Sequence, residues 1–256
     1  MINLHDLCLD DARALLGHHP ASRLPEPQES HTAYLQCVIN NLCDLSLKDP
    51  LTGLANRRHF RNVLDREIHV VARSGVSALL LMVDIDHFKK VNDTHGHLVG
   101  DRVIHAVADC LSACVRPVDT VARYGGEEFA VILPNCQDAF GPIVAERIRM
   151  AVGALSIQVA PQVHIQVSIS IGGAYAPEWI QSTAALWTER ADVELYRAKA
   201  EGRNRVCIGE HPLIAVSAEE KNMLFGHLSL ADSPCLETAS QDAAGRMTDS
   251  ATTRVN

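Results

Sequence analysis

Aromatic residues are scarce in this 256-residue sequence, at 4%, although hydrophobic residues together make up 47%. A core large enough for a domain of ordinary size is available, and it must be mostly aliphatic. No apolar run approaches the roughly 20 residues that a membrane-spanning helix needs. The first residues carry Asp6, Asp10 and Asp11, where a signal peptide would show a basic and then an apolar stretch. These absences predict no signal peptide, no membrane anchor and a cytoplasmic location. A surplus of positive charge is missing too. The net charge of -8 argues against a general nucleic-acid binder, which would show a basic stripe. Local lysines and metal ions still leave a nucleotide substrate open. The eight cysteines include no CxxC pair. Cys110 and Cys114 lie four apart on a predicted helix and read as packing residues rather than as metal ligands or a disulfide. Reduced thiols fit a cytosolic protein.

What is present falls into three stretches. Residues 1–47 read as a helical segment. Leu4, Leu7, Ala14 and Leu15 mark a short helix ending at Gly17, and Pro20, Pro25 and Pro27 mark a linker. Over 31–47, Leu35, Val38, Leu42 and Leu45 follow the 3-4-3 spacing of a coiled-coil seam about two heptads long. The same spacing suits an amphipathic helix packed on its own domain. The residues alone leave open whether 31–47 is a packing helix or a stalk for a dimer or an activating protein partner.

Residues 48–210 carry the predicted domain. Asp49-Pro50 turns the chain into a helix that lasts to about Ser74. The apolar run 78–83 reads as a central buried strand. A helix over 98–115 places Val103, Val107, Leu111 and Cys114 on one face. A strand into Arg123-Tyr124 and another over 129–133 flank Gly125-Gly126, which read as a two-residue hairpin turn with glycines at positive φ. A helix follows over 139–152. Over 165–171, apolar residues alternate with Gln166, Ser168 and Ser170, the pattern of a half-buried strand. A helix over 183–201 is capped by Gly202, and a short strand lies near Val206. From residue 78 the order is β-α-β-β-α-β, an α+β, ferredoxin-like core with additional helices. Residues 211–256 turn polar and predict a largely disordered tail after one short helix over 219–230.

Asp84 ends the first strand of that core, and Glu127 and Glu128 follow the diglycine. If the strands are neighbours, these carboxylates gather at one sheet edge. Alternation sends Glu127 and Glu128 to opposite faces, so at most one of them shares a ligand sphere with Asp84. The expectation is Glu127, with the backbone carbonyl of Ile85 as a further oxygen. Hard oxygen ligands suit Mg²⁺ or Mn²⁺ rather than zinc. Taken singly, each carboxylate is more often a solvated acidic turn. Phe88-Lys89 begins a turn or helix whose N–H groups, with the lysine ammonium, favour phosphate. Lys199 and Arg203 lie four apart at a helix end. They can grip a triphosphate or simply complement the helix dipole. Asn92 and Asp101 offer an amide and a carboxylate that can pair with a guanine edge. Asp101, after Gly100, can equally serve as a cap near a helix start.

Several ordered motifs together resemble one family. Asp49-Pro50-Leu51-Thr52-Gly53-Leu54-Ala55-Asn56-Arg57-Arg58, Asp84-Ile85-Asp86-His87-Phe88-Lys89-Lys90-Val91-Asn92-Asp93, Gly100-Asp101, Arg123-Tyr124-Gly125-Gly126-Glu127-Glu128-Phe129, Leu195-Tyr196-Arg197-Ala198-Lys199 and Gly202-Arg203-Asn204 are similar to the GGDEF-domain diguanylate cyclases of bacteria. The resemblance covers roughly residues 48–208. It implies condensation of two GTP into cyclic di-GMP with release of two pyrophosphates, in a homodimer that pairs one GTP from each domain. It implies two divalent cations, Mg²⁺ or Mn²⁺, at Asp84 and Glu127, with Glu128 as attack partner or second-metal ligand. Lys89, Lys199 and Arg203 would neutralise phosphate, and Asn92 and Asp101 would read guanine. Arg116-Pro117-Val118-Asp119 looks like the family's inhibitory product site, with Arg147 assisting from a neighbouring domain. A domain of this fold that only senses GTP or cyclic di-GMP is the alternative, which the intact Asp84, Gly125, Gly126, Glu127, Lys199 and Arg203 oppose.

Overall fold

The computed structural model describes residues 9–17, 31–176 and 183–210. By internal contacts the chain divides into two units, 1–212 and 213–256, and the second lies outside the described residues. Also outside them lie Leu4 and Leu7, the prolines at 20, 25 and 27, and the tail from 211 with its predicted short helix.

α1 (Asp10–Gly17) and α2 (His31–Leu47) pack on each other. Leu16, Tyr34 and Val38 are buried together, with Leu35 and Leu42 partly buried beside them. The 3-4-3 spacing of α2 therefore serves packing within the chain here. α2 is fastened to the next segment through Asn56, whose side chain donates to the carbonyls of Ser46 at 2.8 Å and Lys48 at 3.3 Å. The Asn56 amide oxygen also accepts from the N–H of His59. It thereby caps a helix start that would otherwise leave amide hydrogens unsatisfied.

The order continues with β1 (Ala55–Asn56), α3 (Arg57–Ser74), β2 (Leu79–Ile85), α4 (Phe88–His95), α5 (His97–Ala113), β3 (Thr120–Arg123), β4 (Glu128–Leu133) and α6 (Gly141–Gly153). It closes with β5 (Ile157–Ala160), β6 (Val163–Ile165), β7 (Ile169–Tyr175), α7 (Ala184–Ala200) and β8 (Val206–Ile208). Six strands form one sheet in the order β1-β3-β4-β2-β7-β8. β2 is antiparallel to β4 and β7, and β4 is antiparallel to β3. β2 and β3 thus run parallel with β4 between them, the split β-α-β of the expected ferredoxin-like core. β1 and β8 extend the sheet by parallel pairing at its edges.

β2 reads as one apolar run because both its faces are covered. Leu79, Leu81, Val83 and Ile85 pack with Val103, Val107 and Leu111 of α5 and Ile148 of α6. Leu80 and Met82 pack with Phe60 and Leu64 of α3 and Trp187 and Ala191 of α7. Cys110 and Cys114 are half-buried against the first of these clusters, and burial, reinforced by Cys114, pushes the Cys110 thiol up to about 11. No helix among the described residues is long and apolar enough to cross a membrane.

Two expectations are corrected. The strand expected over 165–171 begins instead at Ile169, and β7 is buried along its whole length. Residues 163–165 pair with β5 in a separate two-stranded sheet. β7 is covered because α7 lies directly on it. A Cβ at Gly172 would run into the backbone of Leu195 and Ala191, so only glycine permits that approach. The second correction concerns the diglycine. Residues 124–127 all lie between β3 and β4, so the connection is longer than a two-residue hairpin. Among described glycines, positive φ occurs at 53, 75, 96 and 202 and not at 125 or 126.

Candidate active site

Asp84 and Glu128 face each other across the β2–β4 ladder, where β2 nears its end and β4 begins. Directly opposed residues in an antiparallel pair point to the same face. Glu127 stands one residue away, and its carbonyl accepts from the N–H of Ile85 at 3.3 Å. Glu127 lies in the loop before β4 and so stands outside the strand alternation, whereas Glu128, the first residue of β4, is paired with Asp84. Glu128, not Glu127, is the cross-strand partner of Asp84. The strand pairing, invisible in either segment alone, decides this.

The diglycine serves that glutamate. The N–H groups of Tyr124 and Gly125 both donate to the Glu128 carbonyl, at 2.8 and 3.2 Å. A Cβ at Gly125 would lie 2.7 Å from Glu128 Oε2. Glycine at 125 therefore makes room for a carboxylate rather than supplying a left-handed turn. Arg123 holds the loop from below: Nε and Nη2 donate to the Gly126 carbonyl at 3.1 and 2.9 Å. Its Nη1 reaches Asp49 at 3.2 Å. Asp49 also accepts from the N–H and hydroxyl of Thr52, at 3.0 and 2.8 Å. The opening turn of the domain is thus tied to the glutamate loop, a link between residues 74 positions apart that sequence reading missed.

α7 brings Lys199 to this corner. Its Nζ lies 2.8 Å from Asp84 Oδ2, and the Asp84 side chain is 13% exposed. Asp192, also on α7 and absent from the expected set, is drawn into the same field. Burial pushes its carboxyl above the ordinary range, the nearby Glu128 charge adds to this, and Lys199 opposes it. A cavity of about 820 Å³ opens beside it, lined by Phe60, Arg61, Tyr124, Asp192 and Tyr196 among others.

Asp86 is the second residue that sequence reading missed. It is buried and accepts from the hydroxyls of Ser168 and Ser170, each at 2.6 Å, and from the N–H of Asn204 at 3.0 Å. The serines that looked solvent-facing are its ligands. Asn204 belongs to the turn after α7, so Asp86 pins that turn to the end of β2. Arg203 lies in this turn at φ 60, with its N–H on the Ala198 carbonyl at 3.0 Å. α7 ends at Ala200, so Arg203 does not stack on Lys199 as a helical i,i+4 neighbour.

Phe88 and Lys89 open α4 as expected, with Phe88 buried and Lys89 exposed. Asn92 on α4 turns its amide over Gly100 of α5, where a Cβ would collide with it. Asn92 Oδ1 is buried and makes no hydrogen bond within the chain. Asp101 is exposed in the second turn of α5, which starts at His97, so the capping alternative does not apply to it. Elsewhere, the Arg116 N–H donates to Asp119 Oδ2 at 2.7 Å, and Arg116 Nε lies 3.4 Å from the same oxygen. The other Asp119 oxygen is buried and makes no hydrogen bond within the chain. Arg147 Nη2 donates to the Cys114 carbonyl at 2.6 Å, which places it at the start of that turn.

The donors at the sheet end are all oxygens: the carboxylates of Asp84, Glu128 and Glu127 and the carbonyl of Ile85. Among the described residues no three acidic, histidine or cysteine side chains gather closely enough to hold a metal by themselves. That set fits a hard cation whose remaining ligands come from phosphate oxygens, the usual situation of Mg²⁺. The family model for "Diguanylate cyclase, GGDEF domain" matches residues 46–205. Response regulator PleD of Caulobacter vibrioides is 42% identical over 181 residues, covering 70% of this chain and 39% of PleD. The coiled coil and GGDEF domain of DgcB from Caulobacter crescentus, solved in complex with c-di-GMP, superposes with a TM-score of 0.66 at 32% identity, over 71% of this chain and 95% of that one. Diguanylate cyclase SiaD of Pseudomonas aeruginosa, solved with its activator SiaC, gives a TM-score of 0.63 at 35% identity, over 71% and 69%. The chain spans less than half the length of the curated relatives it matches. With that match, those likenesses and the ordered motifs all falling on one folded domain, the chain belongs to the GGDEF-domain diguanylate cyclase family.

Proposed function

We propose that this domain condenses two GTP into cyclic di-GMP and two pyrophosphates, each domain of a homodimer presenting one GTP to the other. The observation that carries the reading is the corner where Asp84 faces Glu128 across the ladder and meets Lys199 at 2.8 Å. Two Mg²⁺ or Mn²⁺ ions, held by Asp84, Glu128, Glu127 and the Ile85 carbonyl, would neutralise charge building on the α-phosphate and the leaving pyrophosphate. Lys89, Lys199 and Arg203 bind the β- and γ-phosphates from α4 and from the end of α7. Lys199 suits the task because its flexible stem lets the ammonium exchange Asp84 for phosphate. The unused Asn92 oxygen and the exposed Asp101 carboxylate accept from the guanine edge, and the bare Cα of Gly100 leaves space beside them. Glu128 would accept the proton that the attacking 3′-hydroxyl gives up. Binding of product at Arg116 and Asp119, with Arg147 of a second domain, inhibits turnover. The unused buried oxygen of Asp119 supports a ligand there. Dimerisation or the docking of an activating protein through the α2 seam would require α1 to leave the face it covers.

The test is conversion of GTP in the presence of Mg²⁺ across a protein dilution series, with products separated by chromatography. The expected result is cyclic di-GMP, at a specific activity that falls on dilution. Tight GTP binding with no product at any concentration would leave only a nucleotide-sensing domain. Arg116→Ala should then raise the final product level, and unchanged product inhibition would remove that site from the account.

A further inference from the structure

The face of α2 that its spacing marks for pairing is already occupied. Leu9, Ala12 and Leu16, themselves spaced 3 and 4 apart, lie against Leu35, Val38 and Leu42, and Leu16, Tyr34 and Val38 reach 1–2% exposure. The last seam residue, Leu45, is left 38% exposed. We propose that α1 is an intramolecular stand-in for a second copy of α2, covering the dimer seam and holding the chain in its monomeric form. The proposal rests on the homodimer reading above and adds what controls it.

Lengths favour an exchange. α1 has 8 residues and α2 has 17. At about 1.5 Å per residue, α1 can cover only about half of α2. A helix as short as α1 is not stable alone, so its order comes from the seam contacts it makes. A second α2 offers those contacts along the full seam, Leu45 included, in the register that a 3-4-3 pattern specifies. The place of α2 makes the exchange consequential. Its end is fastened to the domain by Asn56, immediately before the Asp49 turn that holds Arg123 and, through it, the Gly126 carbonyl. Two paired α2 helices therefore set two domains side by side, each by a rigid attachment close to its glutamate loop. Release of α1, by a partner that binds it or by mass action of the chain itself, is the step that permits this.

The test uses the full chain without nucleotide. Leu16→Asp removes the cap and leaves every residue of the α2 seam intact. Sedimentation velocity over a dilution series should show its dimer dissociation constant lowered by about tenfold or more. Ala12→Asp, a second route to the same release, should move the constant in the same direction. Val38→Asp breaks both the cap and the seam and should weaken dimerisation. A dissociation constant for Leu16→Asp and Ala12→Asp equal to or weaker than that of the unchanged chain would overturn the proposal. The outcome separates from the cyclase reading: tighter dimers that make no cyclic di-GMP would refute that reading alone, whereas an active enzyme with an unmoved constant would refute only the cap.

Discussion

Asp84 and Asp86 lie two residues apart and have opposite surroundings. Asp86 is buried and meets two hydroxyls and a backbone N–H, short-range dipoles supplied by Ser170 of β7, by Ser168 just before that strand and by the turn after α7. Asp84 is partly open, stands across from a second carboxylate, and has a lysine ammonium on a flexible stem as its counter-charge. The first arrangement consumes the charge to join distant segments. The second leaves it exchangeable: on the function proposed above, an incoming cation and phosphate would replace the lysine on each side of the pair. The lesson is that a carboxylate's role at a sheet end follows from whether its partners can leave.

The contrast can be broken by substitution. Asp84→Asn should cut GTP turnover roughly a hundred- to a thousandfold, with a melting temperature close to that of the unchanged chain. Full activity in that variant would place the chemistry elsewhere. Asp86→Ala should do the reverse in kind. It leaves the Ser170 hydroxyl and the Asn204 N–H without their acceptor and should cost about 2–4 kcal/mol of stability in denaturant unfolding. Turnover should fall only as far as the loosened turn displaces Arg203 and Lys199. A variant as stable as the parent would show that the pin is redundant. The smallest effect concerns Asp192, whose carboxyl is raised by burial and by Glu128. The folded state holds that proton more tightly than the unfolded one, so stability is greatest below the ordinary carboxylate range and declines as pH rises through the folded value. Asp192→Asn should remove that decline and slightly raise the melting temperature at neutral pH. An unchanged pH profile would show that the folded state does not raise the Asp192 carboxyl.

Much of the fold is legible in the sequence. The helix over 97–113 carries a periodic signal because its burial is one-sided, and the central strand reads as one apolar run because both its faces are covered. The candidate residues on single segments, Asp84, Lys89, Asn92 and Lys199, are expected from their motifs. What escaped were relations between segments. The glutamate opposite Asp84 depends on a register that no local pattern encodes. Ser168 and Ser170 have the alternation of a solvent face, yet they bond an aspartate more than 80 positions away. The Arg123–Asp49 bond likewise joins two motifs that look independent in the sequence. Gly125 was credited with conformational freedom when its use is space, and that difference appears only when the Glu128 side chain is placed.

The most direct test is metal-dependent binding of a non-hydrolysable GTP analogue, measured by calorimetry with Mn²⁺ for the unchanged chain and for Glu128→Gln. The account predicts that the manganese contribution to affinity falls at least about tenfold in the variant while the fold melts as before. Equal manganese-dependent affinity in the two proteins would contradict the pairing of Asp84 with Glu128 as the centre of the site.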